Sequence, residues 1–64
     1  MAEEHLEGTV VTIDYQNEAL TIVLKDQQER VLRFDPTNMH TYMGLVDQSI
    51  SCTVDGDLIT KLLD

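Results

Sequence analysis

Residues 31–44, VLRFDPTNMHTYMG, decide the fold of this chain because they join the end of a strand to a short helix. The stretch opens with alternating apolar and polar residues, which is typical of a strand with one buried face. Asp35-Pro36 then predicts a helix start, since the carboxylate can accept from free backbone N–H groups and proline loses nothing at the first helical position. The predicted helix covers residues 36–43, and Gly44 is expected to end it in the left-handed conformation.

Outward from this stretch, period-two alternation predicts strands at residues 6–15, 19–25, 30–35, 48–54 and 57–63. The apolar phase of the first strand changes beside Gly8, which predicts a bulged or bent strand that serves both halves of a curled sheet. Asp55-Gly56 predicts a type I′ hairpin turn between the last two strands.

The order of three strands, a helix and two strands predicts a small all-β, OB-like barrel. An SH3-like barrel is the alternative, since it also has five strands but usually places its helical turn between the fourth and the fifth. The position of Asp35-Pro36 favours the OB order. A chain of 64 residues forms one domain, residues 1–64, in which deep clefts are not expected and residues 1–5 are expected to be flexible.

Several segments resemble the pattern G-x-V-x-x-I-D…L-T-I…G-D-x-V…G of small OB-like barrels, namely residues 8–14 (GTVVTID), 20–22 (LTI), 34–35 (FD), 45–47 (LVD) and Gly56. Such barrels include the periplasmic copper- and silver-binding chaperones of metal efflux systems and related short domains of unknown function. The resemblance implies an OB-like fold. Those chaperones hold the cation with a Trp beside a Met-rich strand and a His, whereas this sequence has no Trp, no such strand and no export signal, so their metal site is not expected here.

Twelve Asp and Glu residues against four Lys and Arg give a formal net charge of −8. This charge repels phosphate, so direct nucleic-acid binding is not expected, whereas a basic protein surface would be attracted. Cys52 is the only cysteine, which excludes an intramolecular disulfide and favours a reducing, cytoplasmic compartment. No apolar run reaches the length of a membrane span, so no membrane association is expected.

The sequence contains no catalytic or cofactor motif. Cys52 shares the phase of the apolar residues in its strand, which predicts a small buried hydrophobe rather than a reactive thiolate. Met39, His40 and Met43 are candidate soft-metal ligands, because thioether and imidazole groups suit such ions. The favoured interpretation is that Met39, Tyr42 and Met43 form a lid on the barrel while His40 faces solvent.

The leading hypothesis is an acidic, non-enzymatic module without a cofactor that binds another protein or a second copy of itself. It rests on the net charge and on strands with apolar residues on both faces, which indicate a partly covered outer face. The alternatives are an acidic mimic of nucleic acid that occupies a basic cleft and a small soft-metal-binding domain. The candidate interaction residues are four carboxylates near turns and two leucines of the last strand: Asp14, Glu18, Asp55, Asp57, Leu62 and Leu63.

Overall fold

The computed structural model describes residues 3–63, which form five strands and one short helix. In chain order the strands are β1 (Glu4–Asp14), β2 (Ala19–Leu24), β3 (Glu29–Arg33), β4 (Ser49–Asp55) and β5 (Leu58–Leu62). A 3₁₀ turn, Pro36–Asn38, leads directly into the helix α1, Met39–Met43. The predicted strands and helix are confirmed, with boundaries that agree to within two residues.

The strands close into a barrel in the order β1-β2-β3-β5-β4, and β4 returns to pair with β1. Strands β3 and β5 run parallel, while the other neighbours are antiparallel. This closed barrel, with its helix between β3 and β4, is compatible with an OB-like fold. The helical turn of an SH3-like barrel is not found between β4 and β5, which are joined by the tight turn Gly56-Asp57.

The bend of β1 allows one strand to serve both sides of the barrel. Gly8 pairs with Leu24 of β2 and with Ile50 of β4. A Cβ atom at Gly8 would overlap the backbone carbonyl of Val23, so only glycine fits where the strands approach this closely. The β1–β2 register then shifts at Val11. The predicted bend beside Gly8 is confirmed.

The core fills the barrel with one apolar residue from every second position of the strands. Near one end of this core, the ring of Tyr42 from α1 stacks on Phe34 with 4.7 Å between centroids and 21° between planes. Met39 packs against the same core, so α1 covers part of it. The buried cluster consists of Leu6, Val10, Leu20, Ile22, Leu32, Phe34, Tyr42, Ile50, Cys52, Val54 and Ile59.

Asp35 starts the helical segment as the sequence predicts. Its Oδ1 accepts hydrogen bonds from Thr37 N at 3.0 Å and from Thr37 Oγ1 at 2.9 Å, while Pro36 occupies the first helical position. These two hydrogen bonds lower the pKa of the Asp35 carboxyl, since both favour its charged form.

The helix does not end as predicted. Gly44 has φ −87° and ψ 6°, which is not left-handed, and its N–H donates to the carbonyl of Tyr42. The chain reverses three residues later at Asp47, whose φ is 67° and whose N–H donates to Val10 O at 2.7 Å. The left-handed conformation is therefore found at Asp47, where the chain contacts β1, and not at Gly44, where α1 ends.

The β4–β5 hairpin forms where predicted, but its turn is shifted by one residue. Its central residues are Gly56 and Asp57, and Asp55 pairs with Leu58. Gly56 has φ 67°, and Asp57 is not among the residues with positive φ. Glycine with positive φ at the first central position is typical of a type II′ turn, so the predicted type I′ geometry is wrong.

Strand β1 begins earlier than predicted. Glu4 and His5, which belong to the expected flexible arm, pair with Val54 and Thr53 of β4. The reason is that β4 extends to Asp55 and offers its edge to these residues. The first two residues of that arm lie outside the described part of the chain. Within residues 3–63, no helix has the length and apolar character required to cross a membrane.

Candidate protein-interaction surface

Two of the four predicted carboxylates, Asp14 and Asp55, end one line of paired residues that crosses all five strands, and Glu18 and Asp57 directly precede Ala19 and Leu58 of that line. Asp14 pairs with Ala19, Ala19 with Arg33, Arg33 with Leu58, and Leu58 with Asp55. Neighbouring strands are about 4.8 Å apart, so a row that crosses five strands separates its two ends by several inter-strand distances around the barrel. We call the four carboxylates Asp14, Glu18, Asp55 and Asp57 the acidic band. They form two pairs with Arg33 between them, not a single cluster.

At one end of the acidic band, the β1–β2 turn holds two exposed acidic residues. Asp14 accepts from Asn17 Nδ2 at 2.7 Å and from Asn17 N at 3.3 Å, which lowers the pKa of its carboxyl. Glu18 has φ 54°, and its backbone carbonyl accepts from Phe34 N at 2.9 Å. Both turn residues are therefore held by backbone or side-chain contacts that leave the carboxylates at the surface.

At the other end of the acidic band, Asp57 directly precedes β5 and contacts the end of β3. Arg33 N donates to Asp57 O at 2.6 Å, and Arg33 Nε lies 3.4 Å from Asp57 Oδ2. The only register pair between these two strands is Arg33 with Leu58. We call this short junction the β3–β5 seam. Every other pair of neighbouring strands in the barrel shares more register pairs than the β3–β5 seam does.

Beyond the seam, one edge of β5 is left without a neighbouring strand. Leu63 N donates to Ser51 O at 2.8 Å, so the backbone groups of Leu63 face β4. Because hydrogen-bonding direction alternates along an antiparallel strand, the N–H and C=O of Leu62 face the opposite side. Among residues 3–63, no strand pairs with Leu62 on that side.

A groove of about 620 Å³ lies between this edge of β5 and the helical segment. We call it the α1–β5 groove. Its charged lining residues include Asp35 and Lys61. Its apolar lining comes from both walls and is formed by Phe34, Pro36, Tyr42, Leu58, Ile59 and Leu62.

Of the two predicted leucines, Leu62 lines the groove, whereas Leu63 follows β5 and does not. Leu63 is 40% exposed, and Leu62 is half-buried against the core. Leu58 is 39% exposed and belongs to the same strand, whereas its neighbour Ile59 is buried. The closed barrel gives β5 a neighbour on both sides, so it is not the free edge strand that the sequence predicts, but its β3 side holds a single register pair.

Sequence reasoning missed the groove itself. Its far wall is formed by the residues from Phe34 to Tyr42, after the chain has left the sheet. The available signal was Asp35-Pro36, because proline cannot donate to a ladder and so limits the length of β3. Because β3 ends at Arg33, which pairs with Leu58 at the start of β5, the rest of β5 is left uncovered on this side.

The apolar residues predicted on outer strand faces differ in exposure. Ala19 is buried, Val23 is half-buried, and Val31 is 62% exposed. Val31 therefore offers an exposed apolar side chain on β3, outside the lining of the α1–β5 groove.

The candidate metal ligands do not share one environment. Met39 packs against the core, while His40 is exposed and Met43 is 47% exposed. Met43 is thus not part of the predicted lid, which consists of Met39 and Tyr42, because the single turn of α1 presents only those two to the core. Within residues 3–63, no three His, Cys, Asp or Glu residues lie together in a metal-binding arrangement.

The buried Cys52 and Tyr42 are not activated for chemistry. Burial raises the pKa of the Cys52 thiol, so it keeps its proton at neutral pH. The pKa of Tyr42 is also raised, first by burial and then by the nearby Cys52 and Asp35. The prediction of Cys52 as a small buried hydrophobe is confirmed by its complete burial.

Charges are distributed differently at the start of β1. Lys25 Nζ lies 3.2 Å from Glu7 Oε1, and Arg30 Nη2 lies 3.7 Å from Glu4 Oε1. His5 Nε2 also lies 3.8 Å from Glu7 Oε2. Opposite charges are mixed on this side, whereas Arg33 is the only cation in the row that carries the acidic band.

The arrangement offers an open strand edge, an apolar groove and ionised carboxylates, which are the components of a contact surface for another macromolecule. The rings of Phe34 and Tyr42 are buried, and Tyr15 is the one exposed aromatic residue. No family model, curated protein or solved structure matches the chain.

Proposed function

We propose that this protein is a non-enzymatic module that binds another protein through the α1–β5 groove. The observation that carries the proposal is the incomplete cover of β5, which leaves a groove lined by Leu58 and Leu62, with the exposed Leu63 next to Leu62 in the chain. Burying a large aliphatic side chain is worth about 1.5–3 kcal/mol. These leucines therefore supply a small apolar centre for an interface, surrounded by polar groups.

The acidic band guides the approach of the partner. The chain carries a formal charge of −8, so a partner with a basic surface is attracted over a distance set by the salt concentration. Charge of this kind mainly increases the association rate, whereas the buried apolar contacts determine how slowly the complex dissociates.

The test is affinity capture from a native lysate with the wild-type chain and with a Leu58→Lys/Leu63→Lys variant. Both leucines are substantially exposed, so the variant is expected to fold. The proposal expects a partner that the wild type retains and the variant loses. Val11→Lys/Val31→Lys is the matched control, because both valines are also exposed, they lie on β1 and β3 rather than at β5, and their substitution adds the same two charges, so it should retain the partner. Equal capture by all three chains, or no capture by the wild type, would contradict the proposal.

Light scattering on the purified chain shows whether the bound protein is a second copy. A monomer is expected, since two copies would bring together two formal charges of −8. A dimer that the Leu58→Lys/Leu63→Lys variant dissolves would make self-association the function of this surface.

The acidic nucleic-acid mimic is a second candidate, supported by the acidic band, although its carboxylates form two pairs and not the single cluster at one barrel end that would favour this function most. The two pairs lie at the two ends of one row, and hydrogen bonds lower the pKa of Asp14. The discriminating variant is Asp14→Asn/Glu18→Gln, with Asp26→Asn/Glu29→Gln as the control of equal charge. If the protein is a mimic, the Asp14→Asn/Glu18→Gln variant no longer captures the partner, whereas the control variant does. DNA then also competes with the wild-type chain for that partner.

Two finer assignments belong to this proposal. The barrel order, with the helix between β3 and β4, supports an OB fold. The single, fully buried Cys52 fits a protein of the reducing cytoplasm, where structural disulfides are rare.

A further inference from the structure

We propose that the α1–β5 groove binds an extended basic segment of the partner, which pairs with β5 as an added strand. This inference rests on the proposed function and specifies the chemistry of its ligand. Two features of the groove and one of its surroundings support it: unpaired backbone groups, an apolar floor and carboxylates on the adjoining parts of the chain.

The backbone of β5 supplies the first feature. The N–H and C=O of Leu62 face away from β4, because those of Leu63 face towards it. Within residues 3–63 the seam ends at Leu58, so no strand of the barrel pairs with Leu62 from the groove side. An extended peptide at the usual inter-strand distance of about 4.8 Å can accept from and donate to Leu62.

The walls of the groove supply the second feature. Phe34, Tyr42 and Ile59 are buried at its base, and the more exposed Leu58 and Leu62 lie on the β5 wall. Side chains of a strand alternate between two faces, so every second residue of a bound peptide points towards this apolar base. Apolar residues at alternate positions are therefore favoured in the ligand.

The charges around the groove supply the third feature and identify the partner as basic. Asp35 and Lys61 line the groove, and three further carboxylates lie beside β5, where the other cation, Arg33, is already paired with Asp57, so four carboxylates surround two cations. The four are Glu3, Asp35, Asp55 and Asp57. Lysine or arginine at the solvent-facing positions of the peptide complements this excess, whereas a second copy of this acidic chain does not.

The test is selection of binders from a phage-displayed library of random twelve-residue peptides, followed by titration of the selected peptides. We expect peptides that alternate apolar residues with lysine or arginine and that shift the amide signals of β5 in an NMR spectrum. No selected peptide, or peptides that shift signals around Val31 or Gly8 instead, would overturn the inference.

Substitution at Leu62 tests the backbone contact. Leu62→Pro removes the outward N–H without removing a hydrogen bond to β4, and Leu62→Ala is the control that loses the same apolar packing but keeps the N–H. The proline variant should bind the selected peptides roughly ten-fold more weakly than the alanine variant. Should the proline variant not fold, N-methylation of the peptide backbone, tested on the wild type, should cause a comparable loss. Equal binding in either experiment would overturn strand addition.

The two proposals fail in different ways. Strand addition alone fails when the wild type captures a lysate protein, the Leu58→Lys/Leu63→Lys variant does not, and Leu62→Pro binds as well as Leu62→Ala. A wild-type chain that captures no protein and selects no peptide contradicts both.

Discussion

Strands β1 and β5 belong to the same barrel but use their edges differently. β1 pairs with β4 over residues 4–9 and with β2 over residues 8–14, so Gly8 and Thr9 are paired on both sides. β5 is paired with β4, but on its other side it meets β3 only through Leu58 and Arg33. The difference separates two tasks, since extensive pairing with two neighbours stabilises a barrel, whereas a strand side that holds a single register pair is free to bind.

The side chains follow the same division. On the β1 side the carboxylates of Glu4 and Glu7 have cations beside them. On the β5 side exposed leucines lie near carboxylates that have few cations around them. We therefore expect substitutions on the β1 side to change the free energy of unfolding and those on the β5 edge to change binding.

The largest expected effect is at the bend of β1. Gly8→Ala should lower the free energy of unfolding by about 3 kcal/mol, because the new Cβ overlaps the carbonyl of Val23 and the backbone must move. Gly44→Ala is the control, since no atom lies within 4 Å of its Cβ position and its φ is −87°. It should change the free energy by no more than about 0.5 kcal/mol. Urea denaturation measures both, and equal effects would show that β1 is not the tightly packed strand.

A valine-to-alanine substitution should lower the free energy of unfolding more in the part of the barrel that pairs with β1 than on the exposed face of β3. Val54 pairs with Glu4 of β1 and is completely buried, so Val54→Ala should cost about 2 kcal/mol. Val31 is 62% exposed, so Val31→Ala should stay within about 0.5 kcal/mol. Thermal unfolding at matched pH compares the two. A larger loss at Val31 would mean that its exposed face is covered in solution.

Much of this division was predictable from the sequence, and part was not. The strands were predictable because one-sided burial has a period of two, and Asp35-Pro36 marked the helix because capping is a local interaction. The left-handed residue at Asp47 was not, because it depends on a hydrogen bond to Val10, which is far away in the chain.

The candidate site shows the same limit. Leu62 lies on β5, the last strand of the predicted order, and Leu63 follows it, but the barrel is closed, so β5 is sparsely paired on its β3 side rather than a free edge. The opposite wall of the groove depends on where the β3–β5 pairing ends, at Arg33 and Leu58, and no local pattern encodes that register. The acidic residues were identified by type alone, so their separation by Arg33 was also beyond the sequence.

Two hairpin turns offer a smaller comparison of the two regions. Gln27 in the β2–β3 turn has φ 73°, a conformation that favours glycine, so Gln27→Gly should stabilise the fold by about 0.5 kcal/mol. Gly56 in the β4–β5 turn has φ 67°, so Gly56→Ala should destabilise it by about 1 kcal/mol. Urea midpoints measure both changes, and effects of the same sign would contradict the turn geometry.

The smallest expected effect is the response to acid. The pKa values of Asp14 and Asp35 are lowered in the folded state by hydrogen bonds from Asn17 and Thr37, respectively. The unfolded chain therefore takes up protons first, and the stability that these groups supply above about pH 4 is lost as the pH falls through their folded pKa values. Asp14→Asn and Asp35→Asn should each make the decline in melting temperature below pH 4 shallower. An unchanged decline in both variants would contradict this assignment.

Amide hydrogen exchange of the free protein tests the division between β1 and β5 most directly. Val10 N donates to Gln48 O at 3.0 Å in the buried part of β1, whereas the N–H of Leu62 faces the groove. We expect the Val10 amide to exchange roughly a thousand-fold or more slowly than its intrinsic rate and the Leu62 amide to exchange close to its own. A Leu62 amide as strongly protected as that of Val10 would show that the edge of β5 is already paired and would contradict the account.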